Sequence, residues 1–264
     1  MANNHTTSVE IRFGVNSEGY FSFNEPDTLL IFIHGFGGKA MGSWTHFPLL
    51  TISDDTFIKC DIIYYGYDTF QGQAADHAAE LYNFINLAVH PLTNSILPLE
   101  QKLKERKYTR VILVAHSLGA LLARQAQLLA HTEKKAWVHR SQLALYAPAH
   151  NGAEVISLAR ETLSGIYGLM GLLARWRFPI LTDLGPDDAI IKDIKAKTES
   201  LQRDGQGDFS KARLVVYAKG DRVVKNNPYG QDAAPKVIAG TSHSAVCKPS
   251  QQFLKPIELL KQII

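Results

Sequence analysis

The stretch RVILVAHSLGALLAR, residues 110–124, changes character at its middle. Before Ser117 it is apolar and rich in β-branched residues, the composition of a strand buried on both faces. From Leu118 onward, Leu121, Leu122, Leu128 and Leu129 recur at three- and four-residue steps, the spacing of a helix with an apolar face. No loop separates the two. A serine at such a corner has its hydroxyl pushed clear of the sheet. The amide that follows it opens a helix, where unpaired N–H groups and the helix dipole favour negative charge. So sharp a turn wants small side chains two positions either side, and Ala115 and Gly119 stand there.

The flanking sequence gives this corner a setting. Upstream, Ser8–Val15 and Gly19–Asn24 alternate like a hairpin joined at Asn16-Ser17-Glu18-Gly19. Thr28–His34 reads as a buried strand, followed by a glycine-rich loop and a short helix around Trp44–Leu50. Phe57–Tyr65 is the next strand, and Gln73–Val89 and Ser95–Lys107 are helices divided by Pro91. Downstream come a strand at Gln142–Ala147, an irregular apolar region, and a polar helix near Asp187–Leu201. Strands at Arg213–Ala218 and Lys236–Ala239 and a helix at Gln251–Ile264 follow. Strands that alternate with helices make a mostly parallel sheet covered on both faces, with ligands at the carboxyl ends of its strands.

The chain has 264 residues, 45% hydrophobic and 20% charged, which suits a single α/β domain over residues 1–264. A net charge of +3 points to no nucleic-acid partner, and the densest basic run, Lys102, Lys104, Arg106 and Lys107, reads as a solvated helix face. The two cysteines, Cys60 and Cys247, form no metal-ligand pattern, and no metal or organic cofactor is expected. The opening MANNHTTSVEIRF lacks the charged-then-apolar order of a secretory signal, and no uncharged apolar segment reaches the length of a membrane span. The expectation is a reduced, cytoplasmic location.

AHSLG, residues 115–119, resembles the nucleophile elbow G-x-S-x-G of the α/β-hydrolase family, in the variant that begins with alanine. The resemblance implies that fold: a mostly parallel eight-stranded sheet, helices on both faces, and a cap or lid inserted at about residues 150–205. The loop HGFGG, residues 34–38, admits two readings. Gly35-Phe-Gly-Gly-Lys-Ala40 fits a dinucleotide-type phosphate turn, but that turn must open a long helix and be followed by an acidic residue at a strand end. Here the helix is short and Asp61 falls inside its strand. The loop also looks like the His-Gly loop of esterases and lipases in the family. By that resemblance the backbone N–H groups of Phe36 and Leu118 form an oxyanion hole, His34 is structural, and the His116 side chain points away from Ser117.

A serine hydroxyl needs a general base within reach, oriented by a third group. The family order is serine, acid, histidine. Of ten histidines only His243 follows His150, in AGTSHSAVC after the last short strand. Asp221 lies just past the strand ending near Ala218, although Gly220-Asp221 is also ordinary turn chemistry. The candidate set is Ser117, Asp221 and His243, with Asp183, Asp187 and Asp188 as acids upstream of that strand.

Two features bear on the substrate. HGFGG, AHSLGALLAR, PAHNGA and HSAVCKP together look like lipase-type hydrolases related to serine-active-site and GPI-inositol-deacylase proteins, although Pro148–Ala153 departs from the Pro-His-x-Gly-Ser of those proteins. That resemblance implies lipid or acyl esters as substrates. The uncharged run Leu163–Ala174 precedes Arg175-Trp176-Arg177. It reads either as a buried helix or as a mobile lid in which Leu163, Ile166, Met170 and Trp176 meet the substrate and a membrane surface. The expected activity is carboxylic-ester hydrolysis. An acyltransferase, thioesterase or peptidase with the same triad is the alternative, as is a catalytically silent interaction module.

Overall fold

The computed structural model describes residues 4–89, 106–151, 180, 188–227 and 229–264. Eight strands form one sheet in the order β1-β2-β4-β3-β5-β6-β7-β8. They are β1 (Val9–Ile11), β2 (Ser17–Tyr20), β3 (Thr28–Ile33), β4 (Cys60–Tyr65), β5 (Arg110–His116), β6 (Ser141–Tyr146), β7 (Ala212–Ala218) and β8 (Lys236–Ile238). The first two pair antiparallel with each other, and β2 pairs antiparallel with β4. Every pair from β4 to β8 is parallel. The central strands β3, β4 and β5 are buried almost throughout, which is why they read as unbroken apolar runs.

Five helices are described: α1 (Phe47–Ile52), α2 (Ala74–Val89), α3 (Leu118–Thr132), α4 (Ala189–Arg203) and α5 (Lys255–Lys261). The pleat assigns them to faces, because successive residues of a strand point to opposite sides. Tyr65 packs on Phe84 of α2, at 4.9 Å between ring centroids. Its neighbour Tyr64 faces the other way and stacks on Phe32, which touches Trp44 and Phe47 of α1. On that same side the Tyr146 hydroxyl donates to the Pro256 carbonyl of α5 at 2.7 Å. Helices α3 and α4 pack together, and Gln127 of α3 donates to Ser141 at the start of β6.

Several boundaries differ from the sequence reading, each for a local reason. The first hairpin turns at residues 12–16, and Ser17-Glu18-Gly19 lies within β2. The end of β4 draws the loop down: Val15 N–H donates to the Gly66 carbonyl, and the Ser17 hydroxyl accepts from Gly66 N–H, both at 2.9 Å. Gly14 meets this demand with φ +74°, where a Cβ would stand 2.3 Å from the Gly66 carbonyl oxygen. Strand β4 begins at Cys60 because Asp54 caps a 3₁₀ turn at Asp55–Phe57. Helix α5 is shorter at its start, where Ser250 and Phe253 form a bridge and Pro256 opens the helix.

The basic run is corrected at Arg106; Lys107 is exposed, and Lys102 and Lys104 lie outside the described residues. Arg106 is not on a solvated helix face; it is mostly buried and lies 3.4 Å from Asp61 inside β4. Asp61 also accepts from Tyr108 Oη at 2.7 Å and from Ser22 N–H at 2.8 Å. Burial pushes the Asp61 carboxyl up to about 6 against the pull of Arg106 and these two donors. An acidic residue so occupied cannot serve a nucleotide ribose, and the glycine loop leads into a helix of only 6 residues. The phosphate-turn reading of that loop therefore fails.

Most of the stretch at 150–205, with Leu163, Ile166, Met170 and Trp176, lies outside the described residues, as does most of the helix expected at Ser95–Lys107. Within that stretch α4 packs on α3 and buries Ile191 and Ile194. No described helix is long and apolar enough to cross a membrane.

Candidate active site

Strand β5 ends at His116 and α3 starts at Leu118, so Ser117 is the whole connection. Its backbone has φ 52° and ψ −119°, a left-handed conformation that costs a non-glycine residue on the order of 1–3 kcal/mol. Neighbouring chain holds it there. Ser117 N–H donates to the Tyr146 carbonyl at 3.0 Å, and Ala149 N–H donates to the Ser117 carbonyl at 3.1 Å. Ala147, past the end of β6, also has a positive φ, 42°.

The small residues around the corner have specific contacts. A Cβ at Gly119 would stand 2.5 Å from the Ile33 carbonyl oxygen and 2.6 Å from that of His34. Both are backbone atoms of β3 and its loop, which have no room to yield. Gly119→Ala is expected to destabilise the protein by about 1–3 kcal/mol and to displace the elbow, lowering turnover as well. A urea-unfolding midpoint matching that of the parent protein would refute this.

His243, on the loop after β8, brings its ring to the serine. Its Nε2 lies 2.9 Å from Ser117 Oγ, and its Nδ1 lies 3.0 Å from Asp221 Oδ2. A carboxylate can only accept, so Nδ1–H donates to Asp221 and Nε2 accepts from the serine hydroxyl. Both side chains of the His–Asp pair are buried. Asp221 Oδ1 accepts from Val223 N–H at 2.8 Å and Val224 N–H at 3.1 Å. Burial pushes the Asp221 carboxyl up, but the bond to His243, its charge and these two amides outweigh that and hold it below the usual carboxylate range. Of the other acids, Asp188 is engaged as the N-cap of α4, accepting from Ile190 N–H at 2.9 Å. Asp183 and Asp187 lie outside the described residues.

The glycine loop after β3 closes the other side. A Cβ at Gly35 would meet Ser117 Cβ at 2.8 Å, so the loop passes directly against Ser117. Phe36 follows, buried, with its ring edge-on to Phe70 at 5.5 Å. Leu118 is the first residue of α3, where a backbone amide has no acceptor within its own helix. His34 pins this loop. Its ring stacks on Tyr67 at 4.3 Å, Nδ1–H donates to the Gly35 carbonyl at 2.9 Å, and its own carbonyl accepts from Tyr67 Oη. Burial lowers its pKa to about 4, so the ring stays neutral near neutral pH.

Two supporting contacts escaped the sequence reading, which expected only that the His116 side chain would point away from Ser117. His116 turns away from the serine hydroxyl, and its Nε2 bonds the backbone carbonyl of His243 at 3.0 Å. Burial first, then the charge of His243, holds His116 down to about 3, so it serves as a fixed neutral donor. Thr69, on the loop after β4, accepts from Gly37 N–H at 2.9 Å. No local pattern marks either role, since each joins segments distant in sequence. Among the described residues no group of three or more His, Cys, Asp or Glu side chains could hold a metal ion.

No protein-family model matches the chain, and no curated protein matches it by sequence. Solved structures do match in shape. The mature form of a Bacillus licheniformis lipase is 14% identical, with a TM-score of 0.55 over 89% of this chain and 91% of that one. A peroxisomal alpha-beta-hydrolase of Saccharomyces cerevisiae is 10% identical, with a TM-score of 0.57 over 99% of this chain and 88% of that one. Carboxyl esterase 2 of the mycorrhizal fungus Tuber melanosporum is 15% identical, with a TM-score of 0.55 over 99% and 85%. Strand order, the strand-to-helix corner at Ser117 and these likenesses lead to one statement: the chain has the α/β-hydrolase fold.

Proposed function

We propose that this protein is a serine hydrolase of carboxylic esters, with Ser117 as nucleophile, His243 as general base and acid, and Asp221 as the group that orients the histidine. The observation that carries the reading is the hydrogen-bonded line from Asp221 Oδ2 through both ring nitrogens of His243 to Ser117 Oγ, at 3.0 and 2.9 Å. The lipase and esterase among the structures of like fold support the substrate class.

In the acylation step Ser117 Oγ attacks the ester carbonyl as its proton passes to His243 Nε2. The carbonyl oxygen becomes an oxyanion, which the backbone N–H groups of Phe36 and Leu118 stabilise beside the helix terminus. His243 then hands the proton to the alkoxide as the carbon–oxygen bond breaks, releasing the alcohol and leaving acyl-Ser117. Water enters, loses a proton to His243 and attacks the acyl carbon. The Ser117 Oγ–carbon bond breaks, the proton returns to Ser117, and the acid departs. Asp221 keeps the Nδ1–H tautomer in place throughout and balances the imidazolium charge without taking the proton itself.

A p-nitrophenyl ester mixed with the protein and quenched in acid should leave the acyl mass on the peptide containing Ser117. Steady turnover with no acyl adduct on that peptide, and none on a slow-deacylating substrate, would count against a covalent serine mechanism.

A further inference from the structure

His150, on the segment after β6, is a buried histidine that the proposed chemistry leaves unused. Five other histidines are buried among the described residues: His5, His34, His77, His116 and His243. Each of them bonds a partner through its ring. Neither ring nitrogen of His150 makes a well-formed hydrogen bond to a described residue. Burial first, then the charges of Arg124 and Lys195, holds its pKa well below the usual histidine value, against the pull of the Asn227 backbone. A ring kept neutral in this way is neither acid nor base. What it offers is a flat face.

That face is in use. His150 stacks on Tyr229, with 4.2 Å between ring centroids and 26° between the planes. Arg124 lays its guanidinium over the Tyr229 ring, 4.4 Å from the centroid, and both residues are buried. Such a cation–π contact gains strength where water is excluded. Arg124 stands about two turns into α3, the helix that begins beside Ser117. Its charge is met by Asp232, and its Nη1 donates to the Ser210 carbonyl at 2.8 Å, so the guanidinium is fixed in place. A second link joins the two loops, because the Asn151 side chain donates to the Asn227 carbonyl at 3.4 Å. The contacts close a circuit. It runs from Ser117 along α3 to Arg124, across Tyr229 to His150, and through Ala149 N–H back to the Ser117 carbonyl at 3.1 Å.

The circuit returns to a strained residue. Ser117 has φ 52°, and a conformation of that kind persists only where its surroundings over-determine it. The bond from Ala149 N–H is one of those that do so, and His150 is the side chain that anchors Ala149. We propose that His150, stacked on Tyr229 and through it on Arg124, is a positioning residue for Ser117, holding Ala149 against the corner so that Oγ stays aligned with His243. This role rests on the reading of Ser117 as nucleophile.

The test measures the rate at which a fluorophosphonate labels Ser117, with kcat and KM for a p-nitrophenyl ester, well below the melting midpoint of each variant. His150→Ala should slow labelling and lower kcat by about tenfold or more with KM little changed, since a small misplacement of the reacting atom acts on the chemical step. His150→Phe restores a flat ring without nitrogens and should recover most of the loss. Tyr229→Leu should cost as much as His150→Ala. Tyr229→Phe should be near neutral, because the hydroxyl that it removes has no partner among the described residues. H150A/Y229L should lose little more than either single variant, since both break one circuit. The pH profile of kcat should keep its parent shape throughout, because His243 and Asp221 are untouched. If His150→Ala does not fold, the contrast between Tyr229→Leu and Tyr229→Phe reads the same circuit. Parent rates in a folded His150→Ala or Tyr229→Leu with a lowered melting midpoint would make the stack plain packing and overturn the proposal. A His150→Phe as slow as His150→Ala would overturn it too. If the parent protein takes no label at Ser117, the nucleophile reading falls and this role with it; if the label goes on and the stack is indifferent, only the positioning role falls.

Discussion

Ser117→Ala should abolish labelling by a fluorophosphonate probe and lower ester turnover by about 10⁶-fold. The size of the effect follows from what the hydroxyl does. Without Oγ no acyl-enzyme can form, and His243 Nε2 loses the acceptor-donor partner that it holds at 2.9 Å. Residual catalysis would come from the oxyanion donors acting on water, a far weaker nucleophile in that geometry. The side chain is small and sits at a strained backbone position that alanine also occupies elsewhere in this molecule, at Ala147 with φ 42°. The variant should therefore fold, and its circular dichroism and melting curve should match those of the parent protein. An alanine variant that still takes the probe, or that retains full ester turnover, would end the assignment of Ser117.

Asp221→Asn should leave the fold intact yet lower turnover by about 10⁴-fold. The amide can still accept from Val223 and Val224 through its oxygen, so the turn after β7 survives. Its NH₂ group then faces His243 Nδ1, which must become the acceptor. The ring proton moves to Nε2, and the histidine can no longer take the serine proton. Two independent readings bear on this: the kcat, and the imidazole ¹⁵N resonances that report the tautomer. If Asp221→Asn were nearly neutral while Asp188→Asn crippled turnover, the acid assignment would be wrong. That would be unexpected of a residue whose carboxylate caps α4.

Strong local signals account for what was legible from the residues. The apolar runs of β3, β4 and β5 are continuous because both faces of those strands are covered, and burial on both faces leaves no alternation to misread. The corner at Ser117 was legible because strand and helix periodicities meet with no residue between them. His243 stood out by elimination as the one histidine downstream of His150, and Asp221 by its place after a strand. The hairpin turn was misplaced because Asn16-Ser17-Glu18-Gly19 has turn chemistry, whereas contacts with Gly66, far along the chain, set the real turn. Arg106 looked like one of a solvated run until Asp61 and Tyr108 came alongside it.

The amino-acid sequence by itself determined the alternation of strands and helices, the strand-to-helix corner at Ser117 and the identity of the three side chains now found in line. Periodicity and small-residue spacing act over a few residues, and a linear reading can see them. Tertiary structure alone decided that His116 would hold the His243 carbonyl and that Thr69 would hold the glycine loop. Those relations join segments that sequence places far apart. A hydrogen bond or a Coulomb interaction depends on distances of a few ångströms, which only the folded chain sets.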